Sequence, residues 1–210
     1  ACPRLCQYRA ENRKTFPDKH NAPVPAFGGL DAPFLIVGLA PGLRGANFTG
    51  RPFTGDYAGD LLYATLPKFG FAQGPYAEHA GDGLSLIDCR ITNAVRCVPP
   101  ENKPLPAEMK NCLPFLEREM AAMKNLRVVL ALGLIAHNAV LKACGARATR
   151  YKFAHNARHT LDSGLILADS YHCSRYNTNT GRLTPAMFET VFAGIAGILL
   201  TVGMAVDANV

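Results

Sequence analysis

The sequence has no internal repeats, no low-complexity tracts and no change of composition along its 210 residues. These absences predict one domain over residues 1–210, and a chain of this length can bury a full hydrophobic core. Charged residues are also scarce, at 18% against 49% hydrophobic residues. That balance excludes a disordered protein and is typical of a well-buried globular one.

Long apolar runs are missing as well. The one segment that suggests a membrane, residues 191–206, is sixteen residues long and falls short of the ~20 that a spanning helix requires. Its glycine and alanine content suits close packing. We therefore predict the buried end of a final helix, with a membrane anchor as the alternative, and expect no membrane partner.

We also expect no signal peptide, since ACPRLCQYR at the start lacks the charged and then apolar pattern of a leader. The seven cysteines are an odd number. Both features predict a reduced, cytoplasmic protein, in which clustered cysteines more often bind metal than form disulfides.

Positive charge is in excess, with a formal net charge of +6 and a pI of about 9.0. This balance suits a polyanionic partner such as nucleic acid. It does not identify one, because many basic proteins bind no nucleic acid.

Strand and helix patterns alternate after an irregular, polar N-terminal arm at residues 1–30, which predicts a parallel sheet covered by helices on both faces. Pro106 and the pair Thr184-Pro185 mark helix starts, and Gly145 marks a helix end. The predicted strands are 33–37, 91–95, 127–132 and 164–170, and the predicted helices are 57–70, 106–123, 133–145 and one that begins at Thr184.

Three loops rich in polar side chains follow strands, namely residues 38–56, 92–104 and 170–184. Ligands of such sheets bind at the carboxyl ends of the strands, so we expect the three loops to form one cleft. The first loop has five glycines and two prolines in nineteen residues, which allow its backbone to approach a ligand closely.

Each loop carries side chains with useful chemistry. In the first, Arg51, Phe53 and Asp56 supply a cation, a stacking face and a carboxylate. In the second, Asn93 can pair with a nucleobase edge, although asparagine also simply terminates strands. In the third, His172 can donate to developing negative charge or move a proton, although a loop histidine can equally be satisfied by a backbone carbonyl.

Four cysteines form two pairs, Cys2-x3-Cys6 and Cys97-x14-Cys112. Four thiolates suit either a tetrahedral zinc ion or a four-iron, four-sulfur cluster, and the spacing does not choose between them. Unligated buried thiols are the third alternative, and they are the favoured interpretation for the remaining cysteines. These are Cys89, Cys144 and Cys173.

Of the histidines outside the loops, His137 lies in the middle of an apolar helix, which predicts a hydrogen-bonded core side chain. His155 and His159 flank a short segment with strand character and receive no role.

Together these features resemble the family 5 enzymes of the uracil-DNA glycosylase superfamily from prokaryotes. The resemblance runs from Cys2 to about Thr190 and depends on the order and spacing of five motifs. These are GLAPG at 38–42, GRPFTGD at 50–56, TNAVRCVPPENK at 92–103, ALGLIAHNAVL at 131–141 and HCSRYNTNTGRLT at 172–184.

The resemblance implies a three-layer αβα sandwich with a central, mainly parallel four-stranded sheet. It also implies a structural iron-sulfur cluster, with zinc as the less favoured alternative, held by Cys2, Cys6, Cys97 and Cys112. The implied activity is hydrolytic excision of uracil, and of other deaminated bases such as hypoxanthine, from DNA in base excision repair. DNA is the implied partner of a monomer located at the nucleoid.

One departure from the superfamily lies at Ala40, where other branches carry a polar residue that activates water. This apolar position marks family 5 and leaves the Asp56 carboxylate as the candidate for positioning or activating the water. It also suits a tolerance for several deaminated bases. A second departure is Cys173, where relatives most often have Pro or Val; we expect a packing residue there and not a nucleophile.

The resemblance assigns roles to the remaining loop residues. Asp56, His172 and Asn93 are the predicted catalytic residues, and the extruded base is expected to contact Phe53, Asn93 and the backbone of the glycine loop. The predicted base-binding residues are Gly38, Ala40, Gly42, Phe53 and Asn93, and the predicted DNA-binding residues are Arg51, Ser174, Arg175, Tyr176 and Asn177.

Two other functions remain open from the sequence. One is a relative that captures DNA or an abasic site without turnover. The other is a metalloprotein that binds nucleotides and acts on small molecules, as many α/β domains do.

Overall fold

The computed structural model describes residues 2–207. Its helices are α1 Pro3–Thr15, α2 Ala46–Thr49, α3 Tyr57–Thr65, α4 Pro106–Ala122, α5 Leu134–Ala143, α6 Arg175–Asn179 and α7 Pro185–Asp207. Its strands are β1 Phe34–Gly38, β2 Ala72–Gln73, β3 Ser85–Leu86, β4 Cys89–Asn93, β5 Val128–Leu132, β6 Arg158–Thr160 and β7 Ile166–Ser170. Short 3-10 turns lie at 66–69, 100–102 and 148–150.

The central sheet has the strand order β4-β1-β5-β7-β6. Its first four strands are parallel, and β6 pairs antiparallel with β7. The four predicted strands are confirmed, and β6 is an addition that the sequence did not resolve. It has only three residues, Arg-His-Thr, whose exposed ends give no apolar pattern.

Helices cover both faces of this sheet, which confirms the sandwich. Successive side chains of a strand point to opposite faces. Phe34 and Ile36 of β1 therefore join the core under α3 and α7, while Leu35 and Val37 join the core under α4 and α5. All five residues of β1 are buried, as are all five of β5, because helices lie on both sides.

The prediction of an irregular arm at residues 1–30 is wrong for its first half, because Pro3–Thr15 form helix α1. Only Leu5 and Asn12 of this helix are buried. Such a helix has no apolar stripe, and the periodic pattern on which sequence-based assignment depends is missing. Proline at the first helical position was its main local sign.

The apolar C-terminal segment belongs to α7. Val191, Phe192 and Ile195 are buried against the sheet, which confirms the predicted packing for the first turns of the segment. Leu200 is 68% exposed, so the burial does not extend along the helix as predicted, and the side chains of 202–206 lie outside the described residues. Within residues 2–207, none of the helices combines the length and the hydropathy that crossing a bilayer requires.

Candidate active site

A cleft of about 340 Å³ opens at the carboxyl ends of the parallel strands. Its walls come from the loops after β1, β4 and β7, as the chain pattern predicted. The volume lies in the ordinary range for small-molecule sites. The predicted residues that line it are Ala40, Gly42, Phe53, Asp56, Asn93, His172, Ser174 and Arg175.

Six further residues line the same cleft without having been assigned a role, namely Leu39, Pro41, Ala46, Tyr57, Ala58 and Asn102. Asn102 and its neighbour Glu101 both have positive φ, at 57° and 55°. Left-handed backbone at two successive residues other than glycine is uncommon, and it turns the loop after β4 toward the cleft. The sequence PPEN suggests a turn there but not its direction.

Asn93 lies at the floor of the cleft because it ends β4, directly beside Gly38 at the end of β1. A Cβ atom on Gly38 would overlap both the Asn93 Oδ1 atom and the ring of Phe53. Gly38 therefore does not face the ligand itself. Its missing side chain leaves room for an amide and an aromatic ring on the cleft floor.

Phe53 is 6% exposed, has φ of 53°, and directs its ring into the cleft. The ring lies nearly parallel to that of His172, with 6.0 Å between the ring centroids and an angle of 29° between the planes. A phenylalanine in the left-handed region is strained. The strained turn directs an aromatic face toward the cleft, where a planar ligand could stack.

Asp56 is the N-cap of α3, and its Oδ1 atom accepts a hydrogen bond from the Gly59 backbone N–H at 3.2 Å. Burial raises the pKa of this carboxyl, against the hydrogen bonds from the backbone N–H groups of Gly59 and Ala58. Its Oδ2 atom faces Gly42 and Gly45, and a Cβ atom on Gly45 would overlap it. One oxygen thus fixes the carboxylate, and the other lies beside the glycine loop.

His172 is half-buried in the opposite wall, two residues beyond β7. Burial lowers the pKa of its imidazole to about 4. In the part of the chain that the structure describes, no protein group makes a hydrogen bond with this ring. The ring is therefore neutral near pH 7 and has an N–H free to donate into the cleft.

The segment after His172 forms the rim. Ser174 caps α6 by accepting a hydrogen bond from the Asn177 backbone N–H, and the Asn177 side-chain amide donates to the His172 carbonyl oxygen at 2.8 Å. Asn177 therefore holds the loop. Tyr176, with 72% of its surface exposed, and Arg175, stacked on Tyr57, are the side chains of this segment that face outward.

The predicted contact between Arg51 and the DNA backbone is contradicted. Arg51 is 4% exposed, and its Nη1 and Nη2 atoms each donate to a different carboxylate oxygen of Asp82 at 2.7 Å. The guanidinium also lies over the rings of Phe27, Tyr63 and Tyr76. A pattern of polar loop residues predicted a cation, but the fold encloses it.

The four paired cysteines lie together beside the cleft. Cys112 is buried with Leu5 and Val95, and Cys2, Cys97 and the cleft residue Ala40 pack against them. Burial raises the pKa of the Cys97 thiol, and the neighbouring thiols of the other three contribute to the rise, against Arg9. Helix α1 thus brings the first pair to the second.

The thiols offer four sulfur ligands in one place, a donor set that suits either zinc or an iron-sulfur cluster. Among residues 2–207, the one group of three or more ligand atoms within 4.8 Å of one another is His137, His159 and Asp169. No three cysteine sulfurs of that range meet this limit.

The predictions for Cys173 and His137 agree with the structure, whereas Cys144, predicted to be buried, is half-buried. Cys173 is fully buried, its Sγ donates to the Ala58 carbonyl oxygen at 3.3 Å, and burial raises the pKa of the thiol. These properties fit a packing residue. His137 is 1% exposed and hydrogen-bonded through both ring nitrogens, as expected of a core histidine.

Known proteins similar to this chain agree with the geometry. The family model described as the uracil DNA glycosylase superfamily matches residues 25–196. The chain is 44% identical over 195 residues to the type-5 uracil-DNA glycosylase of Thermus thermophilus, covering 90% of this chain and 89% of that protein. The type-5 enzyme of Mycobacterium leprae is 44% identical over 200 residues, 91% and 87% of the two chains, and that of Pyrobaculum aerophilum is 40% identical over 187 residues, 87% and 81%.

Proposed function

The chain belongs to the uracil-DNA glycosylase superfamily, and from that premise we propose that it hydrolyses the bond between uracil and deoxyribose in DNA and leaves an abasic site. The observation that carries this function is the shared cleft. Asp56, Asn93 and His172 come from three separate loops and line one cavity together with Phe53. A carboxylate and a neutral imidazole facing one pocket suit a reaction that separates charge between a sugar and a base.

The base must leave the duplex before it can enter this cleft, which costs roughly a few kcal/mol. Phe53 offers the face on which the base stacks, and the Asn93 amide offers a donor and an acceptor for its edge. The backbone of Ala40 and Gly42 supplies further contacts to its carbonyl oxygens. These contacts recognise a planar, oxygen-bearing base.

His172 stabilises the departing base. As the bond breaks, the electron pair stays with the base and negative charge develops on its oxygen. The imidazole of His172, whose pKa of about 4 keeps it neutral, donates a hydrogen bond to that oxygen through its one N–H. Such a donor, already in place before the charge develops, stabilises the transition state more than the ground state.

Asp56 orients the water. Its cap contact to Gly59 fixes the carboxylate, and the oxygen beside Gly42 and Gly45 can accept a hydrogen bond from a water molecule. The water oxygen bonds to the anomeric carbon as the base departs, and the water proton passes to the carboxylate. The raised pKa of Asp56 makes it a stronger base than an exposed aspartate.

The outer rim contacts the DNA strand. Arg175 and Tyr176 are exposed beside the cleft and supply a cation and an aromatic ring. These two residue types bind phosphates and occupy the space that an extruded base leaves. Ser174 and Asn177 act on the protein side, by shaping α6 and holding the His172 carbonyl.

The range of bases extends to hypoxanthine and other deaminated bases. Ala40 lies on the cleft wall and offers only a methyl group where a polar side chain would impose a hydrogen-bond pattern. A wall of this kind discriminates weakly between bases that share a carbonyl oxygen. Excision from a set of single-lesion duplexes tests this range, and activity on uracil alone would contradict it.

The four cysteines hold a four-iron, four-sulfur cluster. Cys6 on α1, Cys2 directly before it, Cys97 after β4 and Cys112 on α4 supply four thiolates that lie near one another. Such a cluster, once bound, joins α1 to the loop after β4 and so has a structural role. We expect a brown protein that absorbs near about 400 nm, as iron-sulfur proteins do. A colourless protein with one equivalent of zinc would contradict the assignment.

Two substitutions test the reaction. Asp56→Asn keeps a side-chain oxygen that can cap α3 but removes the carboxylate that accepts the water proton. His172→Ala removes the hydrogen-bond donor to the departing nucleobase. Under single-turnover conditions on a uracil duplex, we expect losses of about 10²–10⁴-fold for the first and about 10²–10³-fold for the second. Asp18→Asn changes an exposed carboxylate outside the cleft, is the matched control and should retain full activity.

Multiple turnover separates this function from its rivals. A protein that captures DNA without turnover would release at most one base per molecule. A small-molecule enzyme would leave the duplex unchanged and bind it without the salt dependence of a phosphate-contacting protein.

A further inference from the structure

A second histidine lies behind the cleft, where β7 passes into the loop that carries His172. The His137 Nδ1 atom is 2.7 Å from Asp169 Oδ1, and its Nε2 atom is 3.0 Å from the Tyr151 carbonyl oxygen. His137 and Asp169 are 1% and 0% exposed. The other Asp169 oxygen lies 3.2 Å from His159 Nε2.

Both partners of His137 are hydrogen-bond acceptors. A neutral imidazole carries one N–H and can satisfy only one of them, whereas an imidazolium carries two. A buried acceptor without a donor is costly, so this geometry selects the charged ring. Burial opposes the charge, but the hydrogen bond and the charge of Asp169, together with the Tyr151 carbonyl, raise the pKa of His137.

The groups that face the His137 ring come from the elements packed against α5. The titratable groups that face it are Asp169 on β7 and His159 on β6. The phenol ring of Tyr151 packs against His159. Phe153 contacts the ring edge-on. The sheet strands and α4 contribute apolar side chains to the rest of this face, among them Val37, Leu116 and Val129.

Helix α5 and strand β7 also support His172. The backbone N–H of Gly133, just before α5, donates to the Ser170 carbonyl oxygen at 2.9 Å, and the backbone N–H of His137 donates to the Gly133 carbonyl oxygen at 3.0 Å. A Cβ atom on Gly133 would lie 3.6 Å from the His172 Cβ atom. The first turn of α5 is therefore joined to the end of β7 directly beneath His172.

We propose that His137, held as an imidazolium between Asp169 and the Tyr151 carbonyl, is a positioning residue that fixes the loop carrying His172. The proposal rests on the function assigned to His172 above. His137 acts on His172 through geometry. Its ion pair with Asp169 joins α5 to β7 three residues before His172, and loss of this pair lets His172 move away from the departing base.

The first test needs no substrate. Nitrogen-15 NMR of the histidine rings in the intact protein distinguishes one ring N–H from two. At pH 7 we expect both nitrogens of His137 to carry protons and only one nitrogen of His172. A His137 ring with one unprotonated nitrogen would overturn the proposal whether or not the protein excises uracil.

The second test is a double-mutant cycle on single-turnover excision. His137→Phe should lower the excision rate about tenfold or more while the dissociation constant for the abasic product duplex stays within about twofold. In the His172→Ala background, the same substitution should change the rate less than about twofold. Equal losses in both backgrounds would show a general structural role and overturn the proposal.

Two further variants keep the test decisive. His79→Phe removes an exposed histidine and is the matched control. If His137→Phe does not fold, Asp169→Asn replaces it, because the asparagine can donate to a neutral His137 ring and still accept from His159. In this variant we expect His137 to lose one ring proton and the His172 ring signals to shift; unchanged His172 signals would contradict the proposal. Failure of the proposed function itself would appear as no excision by the wild-type protein.

Discussion

The two histidines on either side of the end of β7 are opposites. The His172 ring has no protein hydrogen-bond partner among the described residues, and burial lowers its pKa to about 4. His137 uses both ring nitrogens within the protein, and its pKa is raised. The same residue type is therefore a neutral, available donor in the cleft and a side chain hydrogen-bonded through both ring nitrogens behind it.

The difference shows which property identifies a functional side chain here. A buried polar group without a protein partner has a free-energy cost that folding must offset elsewhere, and such a group persists where a ligand supplies the partner. His172 fits this description, whereas His137 is already satisfied. Hydrogen-bonding capacity left free in the folded state separates them, and residue type does not.

Two arginines repeat the contrast. Arg51 donates to both oxygens of Asp82 and is enclosed by three aromatic rings. Arg175 is exposed at the rim, where its guanidinium lies over the ring of Tyr57. The contrast predicts that Arg51 contributes to stability and Arg175 to DNA binding.

The largest expected effect is on stability. Arg51→Ala leaves the buried Asp82 carboxylate without its cationic partner and with only the backbone N–H groups of Ala77 and Leu84, so the free energy of unfolding should fall by about 3–5 kcal/mol. Arg175→Ala should change it by less than about 0.5 kcal/mol. Urea unfolding of the two variants measures both values.

DNA binding should show the reverse order. Arg175→Ala should reduce the slope of log Kd against log salt by about one phosphate contact, and Arg51→Ala should leave the slope unchanged where the variant is folded. A reduced slope for Arg51→Ala alone would break the contrast between the two arginines.

The next effect is a pair of opposite pH dependences. The unfolded-state pKa of histidine is about 6.5. Because the folded pKa of His172 is about 4, the unfolded chain binds its proton more readily between these values, and acid destabilises the fold. The stability of the wild type relative to His172→Ala should therefore fall as pH drops from about 6.5 to 4, by at most about 1.4 kcal/mol per pH unit.

For His137 the sign is reversed. Its raised folded pKa makes its contribution complete below about pH 6.5 and lost as the pH rises through the folded value. The stability of the wild type relative to His137→Phe should thus shrink on the alkaline side. Urea unfolding at four pH values between about 4.5 and 8.5 tests both signs, and slopes of the same sign for the two variants would contradict the contrast.

The smallest effect concerns Asn177, which the sequence assigned to DNA. Its side chain holds the His172 carbonyl, so Asn177→Ala removes one hydrogen bond of about 1 kcal/mol. We expect about a fivefold slower single-turnover excision, with unchanged affinity for the duplex. Weaker duplex binding with an unchanged excision rate would instead support the original assignment to DNA contact. Thr180→Ala, in the next turn, is a suitable control.

The sequence predicted the parallel strands well, because a strand that is buried on both faces is a continuous apolar run. Such a run can be recognised without knowing which segments pack against it. Phe34–Gly38 and Val128–Leu132 are such runs. It missed α1, whose inward face carries little more than Leu5, and β6, whose short length leaves no pattern. Both elements are stabilised by contacts distant in the chain, which a local pattern does not contain.

Within the site, the sequence identified Asp56, Asn93 and His172 because their positions after strands place them at one edge of the sheet. It could not show that Arg51 turns inward, because this depends on Asp82 and on rings from three separate segments. It also could not show that His137 faces two acceptors, since one is a backbone carbonyl fourteen residues away.

The sequence by itself determined the layered fold, the loops that meet at the cleft and the residue types available there. Local patterns in the chain are enough to indicate which strands are buried and in which order the elements follow. Only the tertiary structure decided which polar groups remain unpaired and which thiols come together. The physical reason is that hydrogen-bond satisfaction and desolvation depend on the three-dimensional surroundings of each group, and distant segments supply those surroundings.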